Sequence, residues 1–69
     1  MKIEARQLPD KTGQFVVTLF DDNNRPISAD IADDLKHAMD LCRDRSDINH
    51  GCPYIIRTTD GRVLKSESE

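Results

Sequence analysis

Four side chains in the second half of the chain are of types that bind metal ions: His37, Cys42, His50 and Cys52. Their spacing, H-x4-C-x7-H-x-C, lacks the closely paired ligands that are typical of zinc sites. In the helix predicted below, His37 falls on the polar side and Cys42 on the apolar side, so one ion could not readily contact both. We therefore predict no metal site, with His37 exposed, Cys42 in the core and His50 in a turn.

Cys52 and His50 are also the residue types of a catalytic nucleophile and its general base. They are two positions apart in a loop with Gly51 and Pro53, and side chains on one short loop usually point apart. We predict no catalytic residue, and a cysteine-dependent enzyme is the least favoured alternative. No cofactor is predicted either, because none of the three isolated glycines opens a glycine-rich loop before a helix.

Acidic residues are concentrated on one side of the predicted helix. Asp33, His37, Asp40 and Asp44 follow an i, i+4, i+7, i+11 spacing. At helical spacing these groups lie in a line along the helix and cannot surround one ion. The ligand order of an EF-hand loop is also missing, so no cation site is expected. Two interpretations stay open for this surface: a solvated helix face, or an acidic docking surface for a protein partner.

The formal charge of the chain is −3, and all of it falls on residues 28–50, which hold six acids and three bases. The segments before and after this one are each neutral. A nucleic-acid-binding protein needs a basic face that displaces counterions from phosphates. The charge distribution therefore argues against direct binding of nucleic acid.

The chain has 69 residues, which is enough for one small domain. A core of this size rarely supplies more than ~3–5 kcal/mol of net stability, so a second subunit would help. The apolar runs are too short to span a membrane, and no secretory signal is visible. Two cysteines are too few for a disulfide scaffold, so we expect a cytoplasmic protein in which Cys42 and Cys52 are separate thiols.

Strand patterns lie at both ends of the chain. Residues 2–7 alternate in polarity, and residues 14–20 are rich in β-branched and aromatic types, so we predict a hairpin with Gly13 in its turn. Residues 54–59 and 62–65 are predicted to form a second hairpin around Asp60-Gly61. Residues 66–69 are expected to fray.

The segment between the hairpins is predicted to be helical from Ala29 to about Arg45. Ser28 would be the N-cap, and the helix would either stop near Arg45 or continue to Asn49 with Gly51 beyond it. Its core-facing residues would be Ile31, Leu35, Ala38 and Cys42, with Ala32 and Met39 beside them. The predicted fold class is α+β, ββαββ, with one helix on a small antiparallel or mixed sheet of four strands, or five if residues 25–27 are extended.

A single helix covers only one face of such a sheet. If Phe15, Val17 and Leu19 point at the helix, Val16 and Phe20 point away from it. The last hairpin would add either Ile55 with Leu64 or Ile56 with Val63 to the uncovered face. A partner-binding or dimer surface made by Val16, Phe20, Ile55 and Leu64 is therefore predicted.

Residues 8–42 resemble the small antitoxin domains of the HicB type: a turn with Gly13, an apolar strand, then a helix of sequence A-D-I-A-D-D-L-K-H-A-M. Those domains carry a Pro-Gly-containing loop after the second strand, which residues 21–26 here lack, so no function is transferred. The sequence predicts a small acidic protein-binding module. An inhibitor or regulator of a host protein from a phage or mobile element is one such case. The alternative is a homodimeric structural or regulatory protein with no separate ligand.

Overall fold

The computed structural model describes residues 1–10 and 12–67. Within these ranges the chain forms five strands and one helix. In chain order they are β1 (Lys2–Gln7), β2 (Phe15–Phe20), β3 (Pro26–Ala32), α1 (Leu35–Ile48), β4 (Tyr54–Arg57) and β5 (Val63–Glu67). The strands form one mixed sheet in the order β3-β2-β1-β4-β5, with the helix on one face. The predicted α+β class is confirmed, and of the two strand numbers predicted the structure has five, because residues 26–27 are extended as part of β3.

The first hairpin is formed as predicted. β1 and β2 pair antiparallel, from Lys2 opposite Phe20 to Gln7 opposite Phe15. Gly13 has a φ of 78°, which a residue without a Cβ adopts at little cost.

The second hairpin also pairs antiparallel, but its connection is longer than the predicted two-residue turn. Residues 58–62 separate β4 from β5. The Thr58 N–H donates to the Arg62 carbonyl at 2.8 Å, and the Gly61 N–H donates to the Thr58 carbonyl at 3.0 Å. The Thr58 hydroxyl also bonds the Asp60 carboxylate, so local side-chain bonds hold the wider loop. Ser66 and Glu67, where fraying was expected, pair with β4, and residues 68–69 lie outside the described ranges.

The predicted start of the helix is wrong. Residues 26–32 form β3, which pairs antiparallel with β2, and Ser28 lies within this strand. The helix begins at Leu35, and its N-cap is Asp34, whose carboxylate accepts a hydrogen bond from the His37 N–H at 2.8 Å. Asp30, which the predicted helix would have included, lies on β3, and its carboxylate forms an ion pair with Arg45 at 2.8 Å. Pairing with β2, a non-local interaction, overrides the helical pattern of this segment.

The helix ends at Ile48, with Asn49 as its C-cap. The Gly51 N–H donates to the Ser46 carbonyl at 2.7 Å, and both His50 and Gly51 have positive φ. This left-handed turn redirects the chain into β4. Of the two ends considered from sequence, the longer one is therefore confirmed.

The connection through α1 sets the architecture of the sheet. β1 and β4 pair in parallel, and α1 carries the chain from the edge strand β3 across to β4. The helix packs over β1, β2, β3 and β4, and β5 lies beyond its edge. In the described residues no helix is long and apolar enough to cross a membrane.

The core lies between α1 and the sheet. Its buried apolar residues are Ile3, Ala5, Phe15, Val17, Ala32, Ala38, Cys42, Cys52, Tyr54 and Ile56. The helix contributes only small buried side chains, Ala38, Cys42 and Ser46, at i, i+4, i+8 spacing. Ile31 and Leu35 were predicted for this stripe, but they are 52% and 39% exposed. Ile31 is on a strand instead, where its side chain points away from the helix.

Candidate functional site

The face of the sheet opposite α1 is not covered by any described element. Strand pairing assigns alternate residues to this side, which we call the open face. Its paired residues are Lys2, Glu4, Arg6, Val16, Thr18, Phe20, Ala29, Ile31, Ile55, Arg57, Val63 and Ser66. The face was predicted from the two apolar sides of β2, and the register now places its members relative to one another.

Two of the four residues predicted for this face line the same depression. Val16 and Phe20 line one shallow depression of about 170 Å³ together with Thr18, Glu4 and Arg6. All three β2 side chains here are half-buried, whereas Phe15 and Val17 on the other side are buried. The depression is therefore an apolar surface that a partner's side chain could fill.

The other two predicted members lie across the sheet. Ile55 pairs with Glu4, two strands from Val16, and is half-buried. Leu64 is the unpaired residue of a β-bulge, between the paired Val63 and Lys65, and is 43% exposed. Of the two alternatives for the last hairpin, Ile56 is excluded because it is fully buried in the core. Val63, which was coupled to Ile56 in that alternative, does belong to the open face.

Sequence reasoning missed Ile31. It pairs with Val16 and is 52% exposed, so it extends the apolar surface onto β3. Ile27 and Ile31 are both more than half exposed on this edge strand. Residue types alternate from Pro26 to Ala32 with the two-residue period of a strand. This pattern was not used because the same residues were predicted to be helical.

The open face also carries a group of charged residues that are far apart in the sequence. A count of charge along the chain therefore does not reveal this group. Three cations and one carboxylate, Lys2, Arg6, Arg57 and Glu4, give it a formal charge of +2, although the whole chain has −3. Arg6 and Arg57 are paired neighbours on β1 and β4. We call Lys2, Arg6 and Arg57 the cationic seam, because they lie on the central strands between the apolar residues of β2–β3 and those of β5.

Each member of the cationic seam has a defined local contact. The Lys2 Nζ lies 5.6 Å from the centroid of the Phe20 ring, within range of a cation–π interaction. An Arg6 guanidinium nitrogen lies 3.4 Å from a Glu4 carboxylate oxygen. The Arg57 Nη1 donates to the Gly61 carbonyl at 2.9 Å. Arginine has five N–H donors, so both guanidinium groups can form further bonds to an incoming carboxylate.

The acidic helix face is assembled only in part. His37, Asp40 and Asp44 lie on exposed positions of α1, but Asp33 precedes the helix. The Asp33 N–H donates to His37 Nδ1 at 3.1 Å, so that nitrogen acts as an acceptor. Asp40 forms an ion pair with Arg43 at 3.0 Å. Local partners therefore reduce the charge that this surface can offer.

The cysteines are buried free thiols. Burial, with a smaller contribution from neighbouring Cys52, raises the pKa of Cys42 to about 11, which disfavours a thiolate. The Ser46 hydroxyl donates to the Cys52 carbonyl at 2.6 Å, which ties the loop to the helix. Among the described residues, no group of three or more histidine, cysteine, aspartate or glutamate side chains could hold a metal ion.

A second depression lies where β5 extends past α1. It has a volume of about 360 Å³ and is lined by Met39, Arg43, Asp47, Tyr54, Lys65 and Glu67, among others. Lys65 and Glu67 approach each other to 3.9 Å across its rim. Cations and acids alternate around it, so no ligand charge is favoured. Nothing in the sequence pattern predicts this groove, because it depends on the position of the helix over the sheet.

Comparison with known proteins finds no relative of this chain. No protein-family model matches the chain, and neither the curated proteins nor the solved structures provide a match. The likeness to HicB-type antitoxin domains is supported by no match, and residues 29–32, which are helical in that likeness, belong to β3. The site therefore rests on its own geometry.

Proposed function

We propose that this chain is a protein-binding module and that the open face is its binding surface. One observation carries the proposal: a five-stranded sheet has a helix on one side and, on the other, apolar side chains grouped around a cationic seam. Ile31 and Val63 on this side are 52% and 47% exposed. Ile31 pairs with Val16, so the apolar surface continues from β3 onto β2, and an exposed apolar surface with charged neighbours is typical of interaction surfaces.

The open face is a better candidate than the acidic helix face. Asp40 is paired with Arg43, so part of the charge of the helix surface is locally compensated. It also presents few large apolar groups, and burial of such groups supplies most of the affinity in protein interfaces. We propose binding and not catalysis because the open face offers contact area and fixed charge, and the thiols lie on the opposite side. Inhibition or regulation of the bound protein is the activity that we propose.

A homodimer is the second candidate function. β3 is an edge strand of seven residues whose outer backbone groups face no neighbouring strand, and Ile27 and Ile31 are exposed along it. Such an edge can pair with the same edge of a second copy. Sedimentation equilibrium from micromolar to millimolar protein tests this candidate, since a concentration-independent monomer contradicts it.

The experiment for the proposed function is affinity capture with matched surface variants. Ile31→Asp and Phe20→Asp place a carboxylate on the open face, and Ile48→Asp makes the same change on the helix, where Ile48 is 64% exposed. We expect proteins from cells that contain this chain to be retained by the wild type and by Ile48→Asp, and lost by the other two. Equal retention by all four folded proteins would contradict the proposal.

A further inference from the structure

We infer that the open face binds an acidic amphipathic helix of another protein. This inference rests on the proposed function and names the chemistry of the partner. It is carried by charge complementarity, because the open face is formally +2 on a chain whose total is −3. The net charge of the binding surface is therefore opposite in sign to that of the whole chain.

In one row across the face the apolar residues and the cations are separated, while Ile55 on β4 places an apolar residue beside Glu4. This row runs from Ile31 through Val16, Arg6 and Arg57 to Val63, so two apolar residues are followed by two cations. The only carboxylate among the paired residues, Glu4, already contacts Arg6. A ligand that places apolar groups over β2–β3 and carboxylates over β1–β4 would match both parts of this row at once.

The dimensions of the face suit a helix. Strands are spaced about 4.8 Å apart, so the five strands span roughly 19 Å, and a helix about 10 Å wide covers half of them. β2 has six residues and a length of about 20 Å, which corresponds to roughly 13 helical residues. A helix of that length would lie over β2 and β3, with its acidic flank turned toward Arg6 and Arg57.

The same charges argue against a second copy stacked face to face. Such a dimer would bring two surfaces of formal charge +2 together and would remove Arg6 and Arg57 of both copies from water. Only Glu4 could neutralise them, and it is already in contact with Arg6. Stacking of the acidic helix face of one copy on the open face of the next would be a heterologous contact, which forms rings or open-ended assemblies instead of a two-fold dimer.

A random-peptide display library selected against the full chain tests the inference directly. Enriched peptides are synthesised, and their affinities are measured by fluorescence polarisation for the wild type, Ile31→Asp, Ile48→Asp, Arg6→Gln/Arg57→Gln and Arg6→Glu/Arg57→Glu. Urea unfolding of each variant establishes that it is folded. We expect enriched peptides with aspartate or glutamate on one side of a helical pattern of apolar residues.

Binding of these peptides should weaken about tenfold or more in Arg6→Glu/Arg57→Glu, less in the glutamine pair, and not at all in Ile48→Asp. Peptides with lysine in place of glutamate should then prefer the charge-reversed variant. Affinity for the wild type should fall as salt is raised.

The other outcomes separate the two proposals. Basic or uncharged peptides that lose affinity for Ile31→Asp would overturn the inference and leave the proposed function standing. Peptides that bind Ile31→Asp as well as the wild type, or a library that yields no binder, would overturn both. A wild-type chain that dimerises in sedimentation, when Ile31→Asp and Arg6→Glu/Arg57→Glu do not, would assign the open face to a second copy and overturn the inference.

Discussion

The two faces of the sheet are made by the same five strands, and they differ in what their side chains are packed against. On the helix side, Ile3, Ala5 and Ile56 are at most 1% exposed. On the open side, Ile31 and Val63 are about half exposed, and cations occupy the central strands. One face is buried within the chain, and the other is left exposed and is the surface that we propose for binding.

This difference shows where the stability of a small domain comes from. The buried residues of the helix are the small Ala38, Cys42 and Ser46, with Met39 and Leu41 partly buried beside them, and the sheet supplies most of the large buried side chains. The open face adds little to this core. Substitutions on the open face should therefore cost less stability than substitutions on the helix side.

The largest difference is expected when the same truncation is made on each face. Ile56→Ala leaves a cavity at a fully buried position and should lower the free energy of unfolding by about 2–5 kcal/mol. Ile31→Ala removes the same atoms at a position that is 52% exposed, and should change it by about 0.5 kcal/mol or less. Urea unfolding followed by circular dichroism measures both. Equal losses in the free energy of unfolding would mean that Ile31 is buried in solution, which would indicate self-association through the open face.

A second difference concerns pH, because the buried face contains a titrating thiol. The unfolded thiol ionises near pH 9, whereas burial raises the pKa of Cys42 in the folded state to about 11. The folded state therefore holds this proton more tightly, so the contribution is complete below pH 9 and is lost as the pH rises toward 11. The expected loss is on the order of 2 kcal/mol.

Cys42→Ala is the control for this titration, since Tyr54, whose pKa burial also raises, is present in both proteins. The difference in unfolding free energy between the two should shrink between pH 9 and pH 11. A constant difference over that interval would show that the Cys42 thiol is not shielded from water.

A smaller effect distinguishes the two possible helix starts. Asp34→Ala removes the N-cap bond to the His37 N–H and should lower the free energy of unfolding by about 1 kcal/mol. Ser28→Ala alters an exposed residue of β3 and should have almost no effect. Chemical denaturation of the two variants measures these changes. If Ser28→Ala were the more costly change, the helix would begin where the sequence pattern placed it.

The region of Ser28 also shows what the sequence could and could not predict. Residues 14–20 were assigned correctly because their β-branched and aromatic types favour a strand locally, and Val16 and Phe20 followed from that strand. Residues 29–32 satisfy both a helical and a two-residue period, so only pairing with β2 decides between them. Ile31 was missed for this reason. The cationic seam was missed because Arg6 and Arg57 are 51 positions apart and become neighbours only through the parallel β1–β4 pair.

The smallest expected effect on stability belongs to the cationic seam, and its sign is informative. Arg6 and Arg57 are like charges on adjacent strands, and the ion pair of Arg6 with Glu4 at 3.4 Å is partly exposed, so it contributes little. Replacement of one cation, as in Arg57→Gln, should leave the free energy of unfolding unchanged or raise it by a few tenths of a kcal/mol. Added salt should stabilise the wild type more than the variant, because it screens the repulsion.

Urea unfolding at low and high salt measures this change, and Lys65→Gln, on the other side of β5, serves as the matched control. If Arg57→Gln destabilised the chain by more than about 1 kcal/mol, the arginine would be a structural residue that holds the hairpin loop through the Gly61 carbonyl. If stability is kept or gained while peptide affinity falls, the chain carries adjacent cations that its own fold does not need. Their presence would then be explained by the acidic partner, and the open face would be the part of the sheet that follows function.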